Sequence, residues 1–234
     1  YQTPQSLKAL LNLDVHVLSE ALVIDRAGKR VRVRELQNNA EKWYAYDKLM
    51  LAPGASPLVP PIPGIDDPRI FTLRNLHDMD RIIAATQTAQ RALIVGAGFI
   101  GLEMAEQLKN KGLSVELVEM QPQVLPQLDP QMTRLVESEL RQNGVALHLS
   151  GQVVRFEASP ASISAQLASG KALAADLVIL SIGVRPETAL ARAAGLALGE
   201  RGQIIVNRFM QTSDPDIYAG GDAVLTEDQI FGTP

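Results

Sequence analysis

Apolar and polar positions change rhythm twice along this 234-residue chain. After Thr3 and Pro4, apolar residues at Leu7, Leu10 and Leu11 predict a short helix, with Thr3 capping it and Pro4 at its first position. From residue 15 the period is two. Runs at 15–18, 21–25, 30–36 and 41–46 predict a small antiparallel meander, turning at Ala27-Gly28-Lys29 and at Asn38-Asn39. The alternation sets Val31 and Val33 on one face and Arg30, Arg32 and Arg34 on the other, a solvated face. Residues 48–52 are almost continuously apolar, as suits a strand covered on both sides. Prolines at 57, 60, 61, 63 and 68 then force an extended path, read here as a stiff crossing between domains.

From residue 71 strands and helices alternate. Strands are predicted at 92–95, 114–119, 145–149 and 176–182, and helices at 78–88, 100–111 and 131–143. Gly112 and Gly144 close the last two helices. Strand-like stretches at 153–154 and 163–167 come before the 176–182 strand, and a last strand covers 204–206. The fold class is α/β, with a parallel sheet and an antiparallel meander.

Composition narrows the function classes. The formal net charge is −4 and the charges are scattered, so no basic stripe for nucleic acid is present. The longest apolar runs are short and interrupted by Asp176, so none could span a bilayer. The chain has no cysteine, which removes disulfides, thiolate metal sites and a Cys nucleophile from these residues. His16, His77 and His148 lack ligand spacing, and no metal site is expected. No charged leader precedes an apolar stretch, and a cytoplasmic location is expected. The beginning at Tyr1 and the stop at Phe231-Gly232-Thr233-Pro234 read as cut ends within a longer protein.

One motif carries chemistry by its context. Gly96-Ala97-Gly98-Phe99-Ile100-Gly101 follows an apolar strand and opens an amphipathic helix, and Glu119 ends the next strand, 23 positions after Gly96. In such a turn Gly96 permits the tight bend, Gly98 lets backbone approach a pyrophosphate, and Gly101 lets helix and sheet pack closely. The helix N-terminus offers free N–H groups and a positive dipole end to the phosphates. Glu119 can accept both hydroxyls of an adenosine ribose and would repel a 2′-phosphate. No Arg or Lys lies between Glu119 and Arg134, so NADH is expected over NADPH. The segment Ile217-Tyr218-Ala219-Gly220-Gly221-Asp222-Ala223 reads two ways, as an Asp helix cap or as backbone and carboxylate set against a polyol chain. Gly183-Val184-Arg185-Pro186 and Ala52-Pro53-Gly54-Ala55 are strand ends entering turns.

Taken together and in this order, these residues resemble the pyridine nucleotide–disulfide oxidoreductases, most closely the coenzyme A-disulfide reductase and NADH oxidase/peroxidase group. The similarity runs through residues 46–55, Pro61-Ile62-Pro63-Gly64-Ile65, Leu73-Arg74-Asn75, residues 96–103, residues 182–186 and residues 218–223. The resemblance implies Rossmann-like FAD/NAD(P)-binding domains, with the NAD domain (69–187) inserted in a partial FAD domain (1–68 and 188–234). It places Gly96, Gly98, Phe99, Ile100, Gly101, Glu119 and Gly183 on NAD, and Ala52, Pro53, Gly54, Gly221, Asp222 and Ala223 on FAD. Phe99 falls where the family has a gating aromatic, with helix-start packing as the other reading. Glu103 falls where the family has a supporting carboxylate that pairs with a lysine, with a solvated helix position as the other reading. The family's first FAD motif and its redox Cys would precede Tyr1, and its dimerisation domain would follow Pro234. The implied reaction passes hydride from NADH through FAD to a small disulfide or persulfide, or to oxygen or peroxide. A thiol-free electron carrier of the ferredoxin or rubredoxin reductase type is the alternative. The parent is expected to be a homodimer with small-molecule substrates, and these residues alone are expected to bind NADH, retain little FAD and lack reductase activity.

Overall fold

The computed structural model describes residues 2–226; the ends read above as cuts, Tyr1 and 231–234, lie outside the described residues. The chain forms two compact units, Ser56–Arg185 and the pair of segments Tyr1–Ala55 and Pro186–Pro234.

The continuous unit is built on a five-stranded parallel sheet. Its order is Ile70–Thr72, Leu177–Leu180, Arg91–Val95, Ser114–Val118 and Val145–His148. Leu177–Leu180 is buried at all four positions, as the apolar run demands of a strand covered on both faces. The period of two then divides its side chains. Ile179 and its neighbours Ile94 and Leu117 face a core that includes Ile82, Ala105 and Leu108, from the helices Leu76–Thr86 and Phe99–Asn110. Val136 and Leu140 of the helix Pro130–Gln142 pack against the same core, so all three helices lie on one face. Val178, Leu180, Leu93 and Val118 point the other way, onto Phe156, Ile163 and Ala165. Those residues belong to an antiparallel sheet of Val153–Ala158, Ile163–Leu167 and Ala172–Ala175. Burying each Leu or Ile in such a core stabilises the fold by roughly 1.5–3 kcal/mol.

The edge of the sheet where the strands begin is tied by one carboxylate. Asp176 accepts from the backbone N–H groups of Gln90 and Arg91, both at 2.9 Å, and from Arg91 Nη2 at 2.7 Å. The Arg91 guanidinium, with help from the two N–H groups, holds the Asp176 carboxyl below its usual 3.8. A carboxylate with a depressed folded-state pKa stabilises the fold above its unfolded value and loses that contribution as pH falls through the folded one. Asp176→Asn is therefore expected to lower stability by about 1–2 kcal/mol at pH 7, as for a hydrogen-bonded charge that loses its partner. The gap between wild type and variant should close below the ordinary Asp value, measured as denaturant midpoints across pH. A gap that is independent of pH would exclude this role.

Sequence and structure differ in several places. The expected domain limits are 1–68, 69–187 and 188–234, whereas the compact units divide at 55/56 and 185/186, with the proline-rich stretch in the continuous unit. Ile62 and Ile65 lie against the core on the antiparallel side, and Pro63 O accepts from Phe156 N at 2.8 Å. Residues 15–18 form no strand; the antiparallel meander has three strands, Ser19–Asp25, Arg30–Glu35 and Glu41–Ala45. The helix Leu76–Thr86 starts earlier than expected because Asn75 and Asp78 form a capping box. Ala172–Ala175 pairs as a strand, although three alanines give a weak β signal.

In the discontinuous unit Thr3 caps the helix Pro4–Leu11 as expected, in a capping box with Ser6. The strand Leu49–Leu51 pairs in parallel with Ile217–Ala219, which joins the two segments of the chain. Ion pairs stitch them further: Arg26 Nε meets Asp214 Oδ2 and Lys48 Nζ meets Asp216 Oδ1, each at 2.6 Å. A short helix, Ala189–Ala193, packs its buried Ala191 into this core with Ile204 and Ile217.

Candidate functional site

Within the continuous unit a cleft of about 620 Å³ opens where three parallel strands end, at Val95, Val118 and Leu180. The carboxyl edge of a parallel sheet is where ligands bind in open α/β folds. Its floor is the glycine turn. Gly96 has φ +105°, and a Cβ there would lie 2.4 Å from Ser181 O. A Cβ on Gly101 would lie 2.0 Å from Gly96 O and 2.7 Å from Ser181 Oγ. Gly98 differs: a Cβ there would meet nothing within 4 Å, because that position faces open cleft.

Phe99–Asn110 starts at Gly98, which makes no side-chain cap, whereas Thr3 and Asn75 cap their own helices with capping boxes. The first-turn N–H groups of a helix have no partner within it, so an uncapped start presents them to whatever occupies the cleft. Apolar side chains that a core would normally cover stand open around it. Phe99 and Met120 are each 61% exposed, and Ile100, Ile182 and Val184 are also exposed lining residues.

Glu119 stands at the end of its strand and lines the cleft. Its Oε2 accepts from Ala97 N at 2.7 Å and its Oε1 from Gln121 N at 2.8 Å. A carboxylate has about four acceptor positions, so these two bonds fix its orientation and leave capacity for a ligand. The loop after it returns to the glycine turn, with Leu125 N donating to Ala97 O at 2.9 Å and Val124 fully buried. On the far wall Ser181 Oγ donates to Gly96 O at 2.8 Å, and Gly183 accepts from Leu58 N at 2.9 Å.

The structure thus gathers Gly96, Gly98, Phe99, Ile100, Glu119 and Gly183 around one cleft, with Gly101 packed directly beneath its floor. Glu103, one helical turn beyond Phe99, is exposed and does not line it. Ser181, Met120, Gln121, Gly151 and Gln152 also line it and escaped the sequence reading. For Ser181, only the apolar strand expected at 176–182 marked its neighbourhood. Among the described residues, no cluster of three or more His, Cys, Asp or Glu side chains could hold a metal. No helix of these residues is long and apolar enough to cross a membrane.

In the discontinuous unit, two turns sit side by side at the carboxyl ends of its parallel pair. Ala52-Pro53-Gly54 follows Leu51, and Gly220-Gly221-Asp222 follows Ala219; Gly220 N donates to Leu51 O at 2.9 Å. Gly54 and Gly221 have φ of +71° and +77°, with open space where a Cβ would stand. Asp222 is exposed within the short 3₁₀ turn Gly221–Ala223, so the helix-cap reading of this residue fails: the residue before the turn is Gly220, and no side chain caps it. Ala223 is buried in the core below. Ala52 and Pro53 also border an apolar cavity of about 290 Å³, with Met50, Leu51 and Ile204.

Known proteins resemble this chain in sequence and fold. The pyridine nucleotide-disulphide oxidoreductase family matches residues 4–232. An NADH oxidase of Methanocaldococcus jannaschii is 39% identical over 234 residues, covering 98% of this chain and 51% of its own length. The structure of reduced CoADR-RHD of Bacillus anthracis superposes with a TM-score of 0.95 at 43% identity, covering 99% of this chain and 42% of that one. A NAD-dependent persulfide reductase from A. fulgidus superposes with a TM-score of 0.93 at 40% identity, over 99% and 43%. The chain spans about half or less of the length of each of these relatives.

Proposed function

The chain belongs to the pyridine nucleotide-disulphide oxidoreductase family, and from that premise we propose that its continuous unit docks NADH in the cleft at Gly96–Gly101, as part of a flavin-dependent oxidoreductase. The observation that carries the reading is the contrast among three glycines. Gly96 and Gly101 are filled by protein on the side a Cβ would take, whereas Gly98 opens into free space beside an uncapped helix start. That is the shape a pyrophosphate needs, since backbone N–H groups must reach its oxygens with no side chain between.

Around the dinucleotide, each residue has a positioning task. The first-turn N–H groups of Phe99–Asn110 neutralise phosphate charge. Glu119, aimed by Ala97 and Gln121, accepts from the adenosine ribose and repels a 2′-phosphate, which favours NADH over NADPH. Phe99, Ile100, Ile182 and Val184 exclude water from the nicotinamide end, and Gly183 brings backbone close to it. In the other unit, the turns at Ala52-Pro53-Gly54 and Gly221-Asp222-Ala223 would hold part of FAD, with open space at Gly54 and Gly221 and the exposed Asp222 carboxylate free to accept from its hydroxyls. Glu103, on the helix that Phe99 begins, is the supporting carboxylate of this reading. When bound, the two cofactors carry the hydride and electron chemistry, while the protein orients them. For the whole protein the electron acceptor is a small disulfide or persulfide such as that of coenzyme A, with oxygen or peroxide second; the persulfide reductase and the NADH oxidase among its relatives support both.

Calorimetric titration of the 234-residue chain with NADH tests the docking role. We expect saturable one-to-one binding, with NADPH at least tenfold weaker, the difference made by roughly one charged contact. No NADH binding up to millimolar concentration would refute it.

A further inference from the structure

We propose that Ser181 is a positioning residue that sets the aim of Glu119 through a single peptide group. The proposal rests on the reading of this cleft as an NADH site. Ser181 follows Leu177–Leu180, and its backbone N–H donates to Val95 O at 2.8 Å, so its register against the neighbouring strand is fixed. Its hydroxyl reaches Gly96 O at 2.8 Å and Val95 O at 3.1 Å; with one hydrogen to give, the shorter contact is favoured.

A trans peptide is planar, and its C=O and following N–H point in opposite directions. Holding Gly96 O on Ser181 therefore aims Ala97 N–H to the opposite side. There Glu119 Oε2 accepts it at 2.7 Å. One rigid plane is gripped at both ends, by side chains that leave two different strands of the sheet.

The grip is needed because Gly96, at φ +105°, is a residue for which several backbone orientations are open. Among the described residues, Ser181 supplies the one side-chain hydrogen bond recorded to the Gly96 carbonyl. Its hydroxyl selects the orientation in which Ala97 N–H meets the carboxylate. Gln121 N then fixes the second oxygen at 2.8 Å. Ribose recognition by Glu119 is in this way conditioned from the far wall of the cleft.

The test compares Ser181→Ala with wild type, using the 234-residue chain and two probes, ADP-ribose and an analogue lacking the adenosine 2′-hydroxyl. If Ser181 acts through Glu119, the alanine variant weakens ADP-ribose by about fivefold and the deoxy analogue, which keeps only the 3′-hydroxyl for Glu119, by clearly less, so their ratio narrows. A Ser181→Cys variant keeps the volume with a poor donor, and should narrow the ratio likewise if alanine unfolds the chain. Equal weakening of both probes would mark a merely structural role and overturn the proposal, as would no change in either. Wild-type protein that binds neither probe would instead overturn the reading of the cleft itself, and this proposal with it.

Discussion

Gly98→Ala is expected to cost the protein NADH and leave its stability almost untouched, whereas Gly101→Ala should damage both. The added methyl at Gly98 meets nothing within 4 Å, and its φ of −76° suits any residue. Thermal stability should change only by the few tenths of a kcal/mol to about 1 kcal/mol expected for alanine at a helix cap. That methyl occupies the space through which a pyrophosphate approaches the backbone, so NADH affinity should fall by about tenfold or more, the loss of roughly one hydrogen-bond set. At Gly101 the methyl would press into Gly96 O, at 2.0 Å from a backbone atom that has nowhere to go. Forcing it in should cost about 1–3 kcal/mol or more by overpacking, and the distorted turn should lose NADH as well. Thermal melts and NADH titrations on both variants decide the matter. Normal NADH binding by Gly98→Ala would show that the pyrophosphate lies elsewhere.

The second large effect concerns the choice of nucleotide. Glu119→Ala combined with Met120→Arg removes an acceptor for the ribose and places a cation at an exposed lining position beside it. The pair should move the NADH to NADPH affinity ratio by about a hundredfold toward NADPH, each change contributing about tenfold. Stability should fall too, because Ala97 N and Gln121 N lose their acceptor. Each unsatisfied group costs on the order of 1 kcal/mol where it is shielded from water. Titrating the double variant with both nucleotides gives the ratio directly, and an unchanged ratio would remove Glu119 from ribose recognition.

Some of the site was written locally and some was not. The spacing of Gly96, Gly98, Gly101 and Glu119 could be read along the chain because each residue acts through its own backbone or charge, close to where it stands. The parallel sheet was legible for the same reason, since Leu177–Leu180 and Arg91–Val95 carry nearly unbroken apolar runs. Ser181 and Gly151 enter the cleft only because distant strands end beside the turn, which no local pattern announces. The course of the proline-rich stretch is likewise set by distant residues. Its prolines do enforce an extended path, but whether that path bridges units or lies on a core depends on Ile62 and Ile65 finding Phe156 and its neighbours nearly a hundred residues later. Ala189–Ala193 was missed because five residues give too little periodicity to detect.

The bond from Leu58 N to Gly183 O has a kinetic meaning. Strand Leu49–Leu51 must find Ile217–Ala219 across the whole intervening chain, and closing so long a loop in a disordered polymer is slow and entropically costly. Once Ser56–Arg185 has folded, its two ends are a hydrogen bond apart, and the search collapses to a short reach. The continuous unit thereby acts as an internal tether, so in refolding it should gain protection against hydrogen exchange before the discontinuous one.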